Sequence, residues 1–573
     1  MFTLLLFACK PDPVDTNETG IFAPTYHQDI HPLLVENCTV CHSPEGMQPD
    51  ILFDDAEIAS VLSGSINGAV QEGKMPPFFA QESDECPNPW GFVHDPRLSD
   101  EEKGLIAEWA AAGGPVGDPD TAAPLPEPPS DELKDADLTA FPAGKHTTSV
   151  AGVVQDEFVC FSIDLGLEEQ QWLEALQIIP DDLAVVHHVL TAIDHDGESA
   201  ALADENGVYP CFGGFGTAST FIGGWVPGSS PVEFPEHSGY RLNAGARIIL
   251  QMHYHLVDEA HQDGTGVALR FADSTPVQEV LMGLVGNAGQ IDEVTGDGLQ
   301  PGPDDPGEPA FFIPAGSKAH TETMRYHPWD WVPRELRIFL VANHMHYIGH
   351  DMRMWVDRGE NAPDEESVCL LHTPEWDFDW QQFYFYDASS DNAPVVWPGD
   401  TLWLECEYDN TLENPGVRAA LEEAGLEEPV DIYLGDGSLS EMCIAVMGQV
   451  YDVPVTVEGE THTGTVDLVV SSADPAFEQS CTGPASLRLE GDQVTGVAAC
   501  GLDLGALYTV ELSLEGALDE GSMEVGILGL AAAGTAVWTG TVVGDEVHAT
   551  IDAKLIYEGI VVNFEGELIV SSE

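Results

Sequence analysis

The sequence predicts a multidomain, mainly β protein with one small α-helical domain near its N-terminus. The chain has 573 residues, which is enough for about four domains of roughly 150 residues each. Its 57 glycines and 40 prolines favour the many turns of β-rich domains. From about residue 138 onward the sequence consists of short alternating or apolar runs of strand length, whereas residues 26–115 have helical character.

The charge balance of the chain is strongly acidic. There are 99 Asp and Glu residues against 18 Lys and Arg residues, so the formal net charge is -81. Such a surface repels phosphate and offers few cations that could release counterions, which argues against nucleic acid as a partner. We interpret the acidity as a solvated shell that tolerates salt.

The N-terminus and the cysteines indicate an exported protein. Residues 1–9 include TLLLFA followed by Cys9, which resembles a bacterial lipoprotein signal, and residues 10–25 are predicted to be a tether. Because a basic n-region is missing and the apolar run is short, a disordered tail with a chance cysteine is the alternative. Eleven cysteines without zinc-finger spacing fit an oxidising compartment. We expect a periplasmic or outer-membrane-anchored bacterial lipoprotein that contacts the membrane only through its lipid.

Residues 26–115 make up the predicted helical domain. Their last part, LSDEEKGLIAEWAAAGGP, predicts a helix, because Ser99 can cap it, Glu102 follows three residues later and two glycines and a proline end it. The acidic, proline-rich residues 116–137 predict a stiff linker.

A CxxCH motif lies in this domain at Cys38, Cys41 and His42. Two thiols at this spacing can add to the vinyl groups of haem, and the adjacent histidine can reach the iron. A CxxC metal or redox site is the alternative interpretation of the motif.

The second axial ligand of such a haem is predicted to be Met75, which lies in a turn before two prolines. Met47 is a rival ligand, and His27 or His31 would make a bis-histidine site. The order of these features resembles c-type cytochrome domains, and the resemblance implies one covalent haem c.

Histidines recur in the predicted strands of residues 138–455. Residues two apart in a strand share one face, so the HMH sequence can hold one metal. Adjacent histidines point to opposite faces, so the HH sequence needs a bulge or an open, T-shaped geometry. A methionine in GDGSLSEMC adds a soft thioether. The candidate metal ligands are His187, His188, His253, His344, His346 and Met442.

The order of these ligands resembles the copper type II, ascorbate-dependent monooxygenases, the peptidylglycine α-hydroxylating and dopamine β-hydroxylating family. The resemblance implies two copper ions in two antiparallel, eight-stranded, jelly-roll-like β-sandwich domains, at residues 138–290 and 291–455. An electron-transfer copper would be held by His187, His188 and His253. The catalytic, oxygen-binding copper would be held by His344, His346 and Met442. Imidazoles bind either copper state, whereas a thioether favours Cu(I).

The resemblance also implies two disulfides. Cys406–Cys443 would fix the loop of Met442, and Cys160–Cys211 would lie around the histidine-bearing strand. In the last segment, residues 456–573, strong alternation predicts an antiparallel β-sandwich or barrel without candidate chemistry, and Cys481 and Cys500 are expected to pair there. Whether Cys86 and Cys369 pair is left open.

These features predict an oxidoreductase, a monooxygenase that inserts one oxygen atom from O2 into a C–H bond of a small molecule. Family members that amidate peptides carry Arg at the position of Ala342, and Asn and Tyr at those of Ile444 and Val446, so an uncharged substrate is expected instead. The aromatic residues 376–386 either line this pocket or form a core strand. The reductant would be ascorbate or a redox protein, with the haem as a relay.

Two other functions remain open from the sequence. A non-catalytic copper-binding or electron-transfer protein of the cell envelope would keep the same ligands without reacting with substrate. A surface-anchored, adhesin-like β protein would carry its histidines incidentally.

Overall fold

The computed structural model is mainly β, with several separate sheets and few helices, which confirms the predicted fold class at this level. The lipoprotein-like signal, most of the tether and Met47 lie outside the described residues. The structure describes residues 23–572, apart from 45–47, 49–50, 85, 94, 127–131, 152–155, 212, 227–228, 275, 293, 303–308, 330–334, 389–392, 436, 438, 453–460, 474–475, 491–492, 504–506, 518–519, 529–531, 544–545 and 558–559.

The chain divides into two compact units, and the division differs from the predicted domain boundaries. The first unit comprises residues 1–78 and 96–129, and the second comprises residues 79–95 and 130–573. Residues 79–95 were predicted to be part of the cytochrome-like domain, but they belong to the second unit, where a disulfide joins Cys86 to Cys369. The first residues of the predicted linker also fold back, since the Ala123 N–H donates to the His27 carbonyl.

The first unit is a small helical domain. The capping box predicted at Ser99 and Glu102 is confirmed at the start of its last α-helix. The unit's core includes Trp109, whose indole N–H donates to the Pro115 carbonyl, and Tyr26, whose hydroxyl donates to the Phe53 carbonyl. Its helices are a π-helix Tyr26–Ile30, α-helices His31–Asn37, Ala56–Gln71 and Asp100–Ala111, and a 3-10 helix Pro119–Thr121.

A ten-stranded sheet is the largest element of the second unit. It crosses the boundary between the two predicted copper domains, which the resemblance implies to be separate antiparallel sandwiches. In order, its strands are Leu138–Ala140, Gly266–Phe271, Gln171–Ile179, Ser238–Leu242, Gln278–Gly286, Ile444–Asp452, Leu336–His344 and Tyr384–Phe385, with Val232–Glu233 and Val395–Val396 attached at its side.

The crossing point is the strand Gln278–Gly286, which the sequence places in the first copper domain. It pairs along its whole length with Ile444–Asp452 of the second domain, and in parallel with the short strand Ser238–Leu242 of the first. A buried ion pair lies at this junction, where Arg241 contacts Glu279 at 2.5 Å. The Tyr451 hydroxyl donates to the other oxygen of Glu279 at 2.6 Å. The buried carboxylate of Glu279 therefore links side chains from three neighbouring strands.

Two five-stranded antiparallel sheets accompany the large sheet. The first contains Val208–Pro210, Asp156–Asp164, Arg247–His255, Val186–Asp194 and Thr220–Trp225. The second contains Gly298–Leu299, His320–Tyr326, Thr401–Tyr408, Gly349–Asp357 and Val368–Thr373. The smaller elements are the strand pairs His146–Thr147 with Gln262–Asp263 and Phe312–Ile313 with Ile432–Tyr433, the α-helices Ser199–Leu202 and Pro415–Ala424, and the 3-10 helix Phe378–Trp380.

The last segment is a closed antiparallel barrel of eight strands, in which the first strand pairs with the last. Val466, Leu468 and Val470 are buried inside it, while the residues between them are exposed, as the alternation predicts. Its strands are Thr461–Ala473, Ala476–Glu490, Gln493–Asp503, Leu507–Ala517, Glu520–Leu528, Ala532–Val543, Glu546–Tyr557 and Ile560–Ser572.

Four disulfides are present, and they indicate an oxidising, exported environment. Three of them are the pairs expected from the sequence, and the fourth joins the two cysteines that were left open. The pairs are Cys86–Cys369, Cys160–Cys211, Cys406–Cys443 and Cys481–Cys500. Among the residues that the structure describes, no helix is long and apolar enough to cross a membrane.

We expect Glu279→Gln to destabilise the second unit by about 3–5 kcal/mol, because it leaves the Arg241 cation buried beside an uncharged partner. The measurement is thermal unfolding of the full chain by calorimetry. The control is Glu413→Gln, which removes an exposed ion pair with Lys318 and should leave the unfolding temperature unchanged. Equal unfolding temperatures for both variants would contradict this role of the junction.

Candidate metal centre

His187, His188 and His253 converge on one point from two neighbouring strands. The strands Val186–Asp194 and Arg247–His255 pair in antiparallel register, with His253 opposite His188. The register then shifts by one residue, so that Tyr254 lies opposite Val186 and His187 is the extra residue. The bulge that adjacent histidine ligands require is therefore present, and it explains why both side chains reach the same metal position.

The three imidazoles present their Nδ1 atoms to one another. The Nδ1 atoms of His187 and His253 are 3.3 Å apart, and each is 3.2 Å from Nδ1 of His188. The centre of this triangle lies about 1.9 Å from each nitrogen (3.2–3.3 Å divided by √3), close to a metal–imidazole bond of roughly 2.0 Å. The triangle therefore fits a single metal ion.

His187 and His188 are held in the neutral form that binds metal. Burial, reinforced by repulsion from neighbouring histidines, lowers the pKa of His187 to about 4 and that of His188 well below its usual value. Nε2 of His253 lies 2.8 Å from a carboxylate oxygen of Asp156. If Nε2 donates its proton to Asp156, Nδ1 of His253 keeps a lone pair for the metal.

His344 and His346 form a second cluster, with ring centroids 5.3 Å apart. Nδ1 of His344 lies 2.7 Å from the Gln381 side-chain oxygen, and Nδ1 of His346 lies 2.9 Å from the Ser440 carbonyl. If both Nδ1 atoms donate, both Nε2 atoms carry the lone pairs. Burial, followed by repulsion from His346, lowers the pKa of His344 to about 3. Both rings are therefore prepared to bind a metal through Nε2.

The HMH sequence was predicted to lie within one strand. In the structure the strand ends at His344, and His346 lies in the following loop. The buried carboxylate of Glu441 causes this ending. It accepts the backbone N–H groups of His346 at 2.7 Å and Ile348 at 2.9 Å, in place of a neighbouring strand. It also accepts the N–H of Met442 at 3.2 Å. One carboxylate thus ties together the backbone of two candidate ligands.

The position of Met442 is further fixed by contacts of its own backbone and of the adjacent Cys443. The Tyr408 hydroxyl donates to its carbonyl at 2.8 Å. Cys443 is joined by a disulfide to Cys406, which lies in the other sheet of this half of the unit. The Cys443 N–H also donates to the Asn287 side-chain oxygen, and the Asn287 N–H donates back to the Cys443 carbonyl. The backbone that carries the thioether is therefore anchored on both sides.

Members of both clusters line a single cavity of about 590 Å³: His188 and His253 from the first, and His344, His346 and Met442 from the second. Its walls are mostly apolar and aromatic, and they include Ala342, Ile444 and Val446 at the positions expected from the resemblance. Among the described residues that line it, none is Lys or Arg, and Asp156 supplies the carboxylate. The segment 376–386 combines its two expected roles, since Phe378 and Phe383 line the cavity whereas Tyr384 and Tyr386 are buried in the core.

The residues predicted to bind haem lie in the first unit. Among the described cysteines, Cys38 and Cys41 lie outside the four disulfides, and Cys38 packs on the core of the unit. The His42 ring stacks on Phe53 at 4.2 Å, and burial lowers its pKa, so it is neutral at neutral pH. Met75 follows the helix Ala56–Gln71 and is half-buried, and its role as axial ligand stays a prediction. Two thiols and a neutral imidazole fit a covalent haem.

Comparisons with protein-family models and with curated proteins give no match. Among solved structures, the infectious bursal disease virus VP2 subviral particle is similar at 10% sequence identity, over 55% of this chain and 80% of that chain. The TM-score of this comparison is 0.13, which is too low to support an argument about fold or function.

Three residues that support the ligands were not predicted from the sequence. They are Asp156, Gln381 and Glu441, which lie far along the chain from the histidines that they contact. Only Glu441 carries a local signal, because it directly precedes Met442.

We expect Asp156→Asn to weaken metal binding at the three-histidine site about 10–100-fold, because the His253 ring loses a charged acceptor that orients it. The measurement is Cu(II) competition with a chelator of known affinity. Asp164→Asn is the matched control, because Asp164 lies on the same strand but is exposed. Equal affinity of both variants would mean that Asp156 does not orient the ligand.

Proposed function

We propose that this protein is a copper-dependent monooxygenase that hydroxylates a C–H bond of an uncharged organic molecule with O2. The single observation that carries the proposal is the cavity lined by two ligand clusters, one with three histidines and one with two histidines and a methionine. The order of these ligands along the chain, which resembles the peptidylglycine and dopamine monooxygenases, supports it further.

The donor set supports copper over other metals. Imidazole ligands suit copper, zinc, iron and nickel, and a thioether such as that of Met442 selects for Cu(I). Mg²⁺, Ca²⁺ and Mn²⁺ prefer carboxylate and carbonyl oxygens, whereas the carboxylates of Asp156 and Glu441 are used to orient the ligands. We assign the three-histidine site to electron transfer and the Met442 site to the reaction with O2.

The protein's own residues would hold the copper ligands in place and bind the substrate. Bound copper would supply the activation of O2 and, from the two sites together, the two electrons that reduce the second oxygen atom to water. Gln381 and the Ser440 carbonyl hold the His344 and His346 rings by their Nδ1 atoms, which would leave both Nε2 atoms to bind the copper. The apolar walls orient the substrate and exclude water from the cavity.

The cavity supports an uncharged substrate. A carboxylate buried there would need a cation, and no Lys or Arg lines the part of the cavity that the structure describes. Several side-chain amides on the wall are engaged with the protein, as when Gln251 donates to the Gly214 carbonyl. Recognition would therefore depend on shape and apolar contact, and a peptidylglycine substrate is disfavoured.

A non-catalytic electron-transfer function is the second candidate. The CxxCH residues favour a role in exchanging electrons with a redox partner, and this argument does not depend on the cavity. It predicts the same two coppers without substrate-dependent consumption of O2. In either case we propose that the protein is a periplasmic or outer-membrane-anchored lipoprotein.

We expect two coppers per chain after copper loading and dialysis, and we expect Met442→Leu to weaken Cu(I) binding at one of them because the thioether is lost. The measurements are elemental analysis and Cu(I) chelator competition. Met345→Leu is the control, since this buried methionine lies between His344 and His346 but not on the cavity wall.

Oxygen uptake by the copper-loaded chain separates the two candidate functions. Uptake that rises with neutral aromatic compounds, but not with N-acylglycines, is expected from a monooxygenase with this cavity. Two coppers without substrate-dependent uptake would favour electron transfer, and absence of copper from folded protein would refute both.

We further propose that haem is attached at Cys38 and Cys41 with His42 as axial ligand, and that it passes electrons to the coppers in place of ascorbate. Haem should remain on the wild-type chain in a denaturing gel and be lost from Cys38→Ser/Cys41→Ser, because the thioether links cannot form. Stopped-flow mixing of reduced protein with O2 and substrate tests the relay. A haem that stays ferrous during turnover would contradict it.

A further inference from the structure

Residues 79–95, here called the arm, are attached to the rest of the second unit at three points. The Gln81 N–H donates to the His372 carbonyl at 2.9 Å, and Cys86 is joined to Cys369 across a sequence separation of 283 residues. The Val93 N–H donates to the Phe385 carbonyl at 2.8 Å. The arm is therefore tied to the two strands Val368–Thr373 and Tyr384–Phe385.

Aromatic contacts reinforce this attachment. The Phe92 ring lies 5.3 Å from Tyr384 and 4.9 Å from Tyr386, and the Trp90 ring lies 6.1 Å from Tyr386 at a steep angle. At the start of the arm, Phe79 lines a small void together with Trp380 and Tyr384. Such aromatic pairs stabilise a contact beyond the apolar area that they bury.

The two strands held by the arm bound residues 374–383, here called the cavity loop. This loop contacts the second ligand cluster at three places. Gln381 accepts from Nδ1 of His344 at 2.7 Å, and the Trp376 indole N–H donates to the His346 carbonyl at 3.1 Å. The Phe378 ring lies 6.0 Å from His346. The orientation of both histidines therefore depends on where the cavity loop lies.

We propose that the arm is a positioning element for the copper site of His344, His346 and Met442. Tied to both strands that bound the cavity loop, it holds Gln381 and Trp376 against the two histidines.

The cavity loop hydrogen-bonds to the second cluster, through Gln381 and Trp376, whereas near the three-histidine site it places the Phe378 ring, 6.2 Å from His187. Asp156, which contacts His253, lies on a different element. Loss of the arm should therefore weaken the Met442 site more than the three-histidine site. The inference rests on the proposed function for the identity of the metal.

The experiment compares full-length Cys86→Ser/Cys369→Ser with wild type by Cu(I) chelator competition and by the infrared band of carbon monoxide bound to Cu(I). We expect one of the two copper sites to weaken about 10-fold or more and its carbonyl band to shift. The site that weakens should be the one already identified by Met442→Leu. Cys481→Ser/Cys500→Ser, which removes the barrel disulfide, is the matched control and should leave both sites unchanged.

A second pair of variants keeps the test valid if the cysteine variant does not fold. Phe92→Ala retains the disulfide but removes a ring that packs on Tyr384 and Tyr386, and Phe92→Tyr restores the ring. If the carbonyl band shifts in Phe92→Ala and lies at its wild-type frequency in Phe92→Tyr, the result supports the role of the arm in positioning the copper ligands. Two unchanged copper sites in the arm variants would overturn the inference while leaving the proposed function intact. Wild-type protein that binds no copper would instead overturn the proposed function.

Discussion

The close packing of imidazoles against one another is the constraint on which the rest of the site depends. If all three Nδ1 atoms carry lone pairs, then at separations of 3.2–3.3 Å these lone pairs repel one another unless a cation lies between them. Such an arrangement persists only if the backbone holds it. The bulge at His187, the carboxylate of Asp156 and the pairing of two long strands supply that restraint. The second cluster uses Glu441, Gln381 and a disulfide for the same purpose.

The ten-stranded sheet borders the second cluster and continues from one half of the second unit into the other. The strand that ends at His344 and the strand that begins after Cys443 are neighbours in it, so the second cluster and part of the cavity wall belong to one surface. The three histidines of the first cluster lie on a five-stranded sheet that borders the same cavity. The parallel pairing at the crossing strand, with its buried Arg241–Glu279 pair, makes the two halves continuous.

The sequence was informative where short-range patterns decide the structure. Strand periodicity predicted the histidine-bearing strands, and the Ser99 capping box predicted the start of a helix. The order of the ligands also pointed to the two clusters. The arm, the shared sheet and the supporting residues were not predicted, because each depends on contacts between residues far apart in the chain. No local pattern indicates that Cys86 meets Cys369, or that Gln381 meets His344.

The bulge at His187 also means that the first cluster depends on the number of residues in its strand as well as on their type. Each of the two adjacent histidines is useful only because one strand has a residue more than its neighbour at that point. Deletion of one residue from the strand Val186–Asp194 at this bulge would restore a regular ladder and direct consecutive side chains to opposite faces of the sheet. The ligands could then all be present in the sequence while the site was absent. A chain can therefore keep the histidine motif and lose the metal.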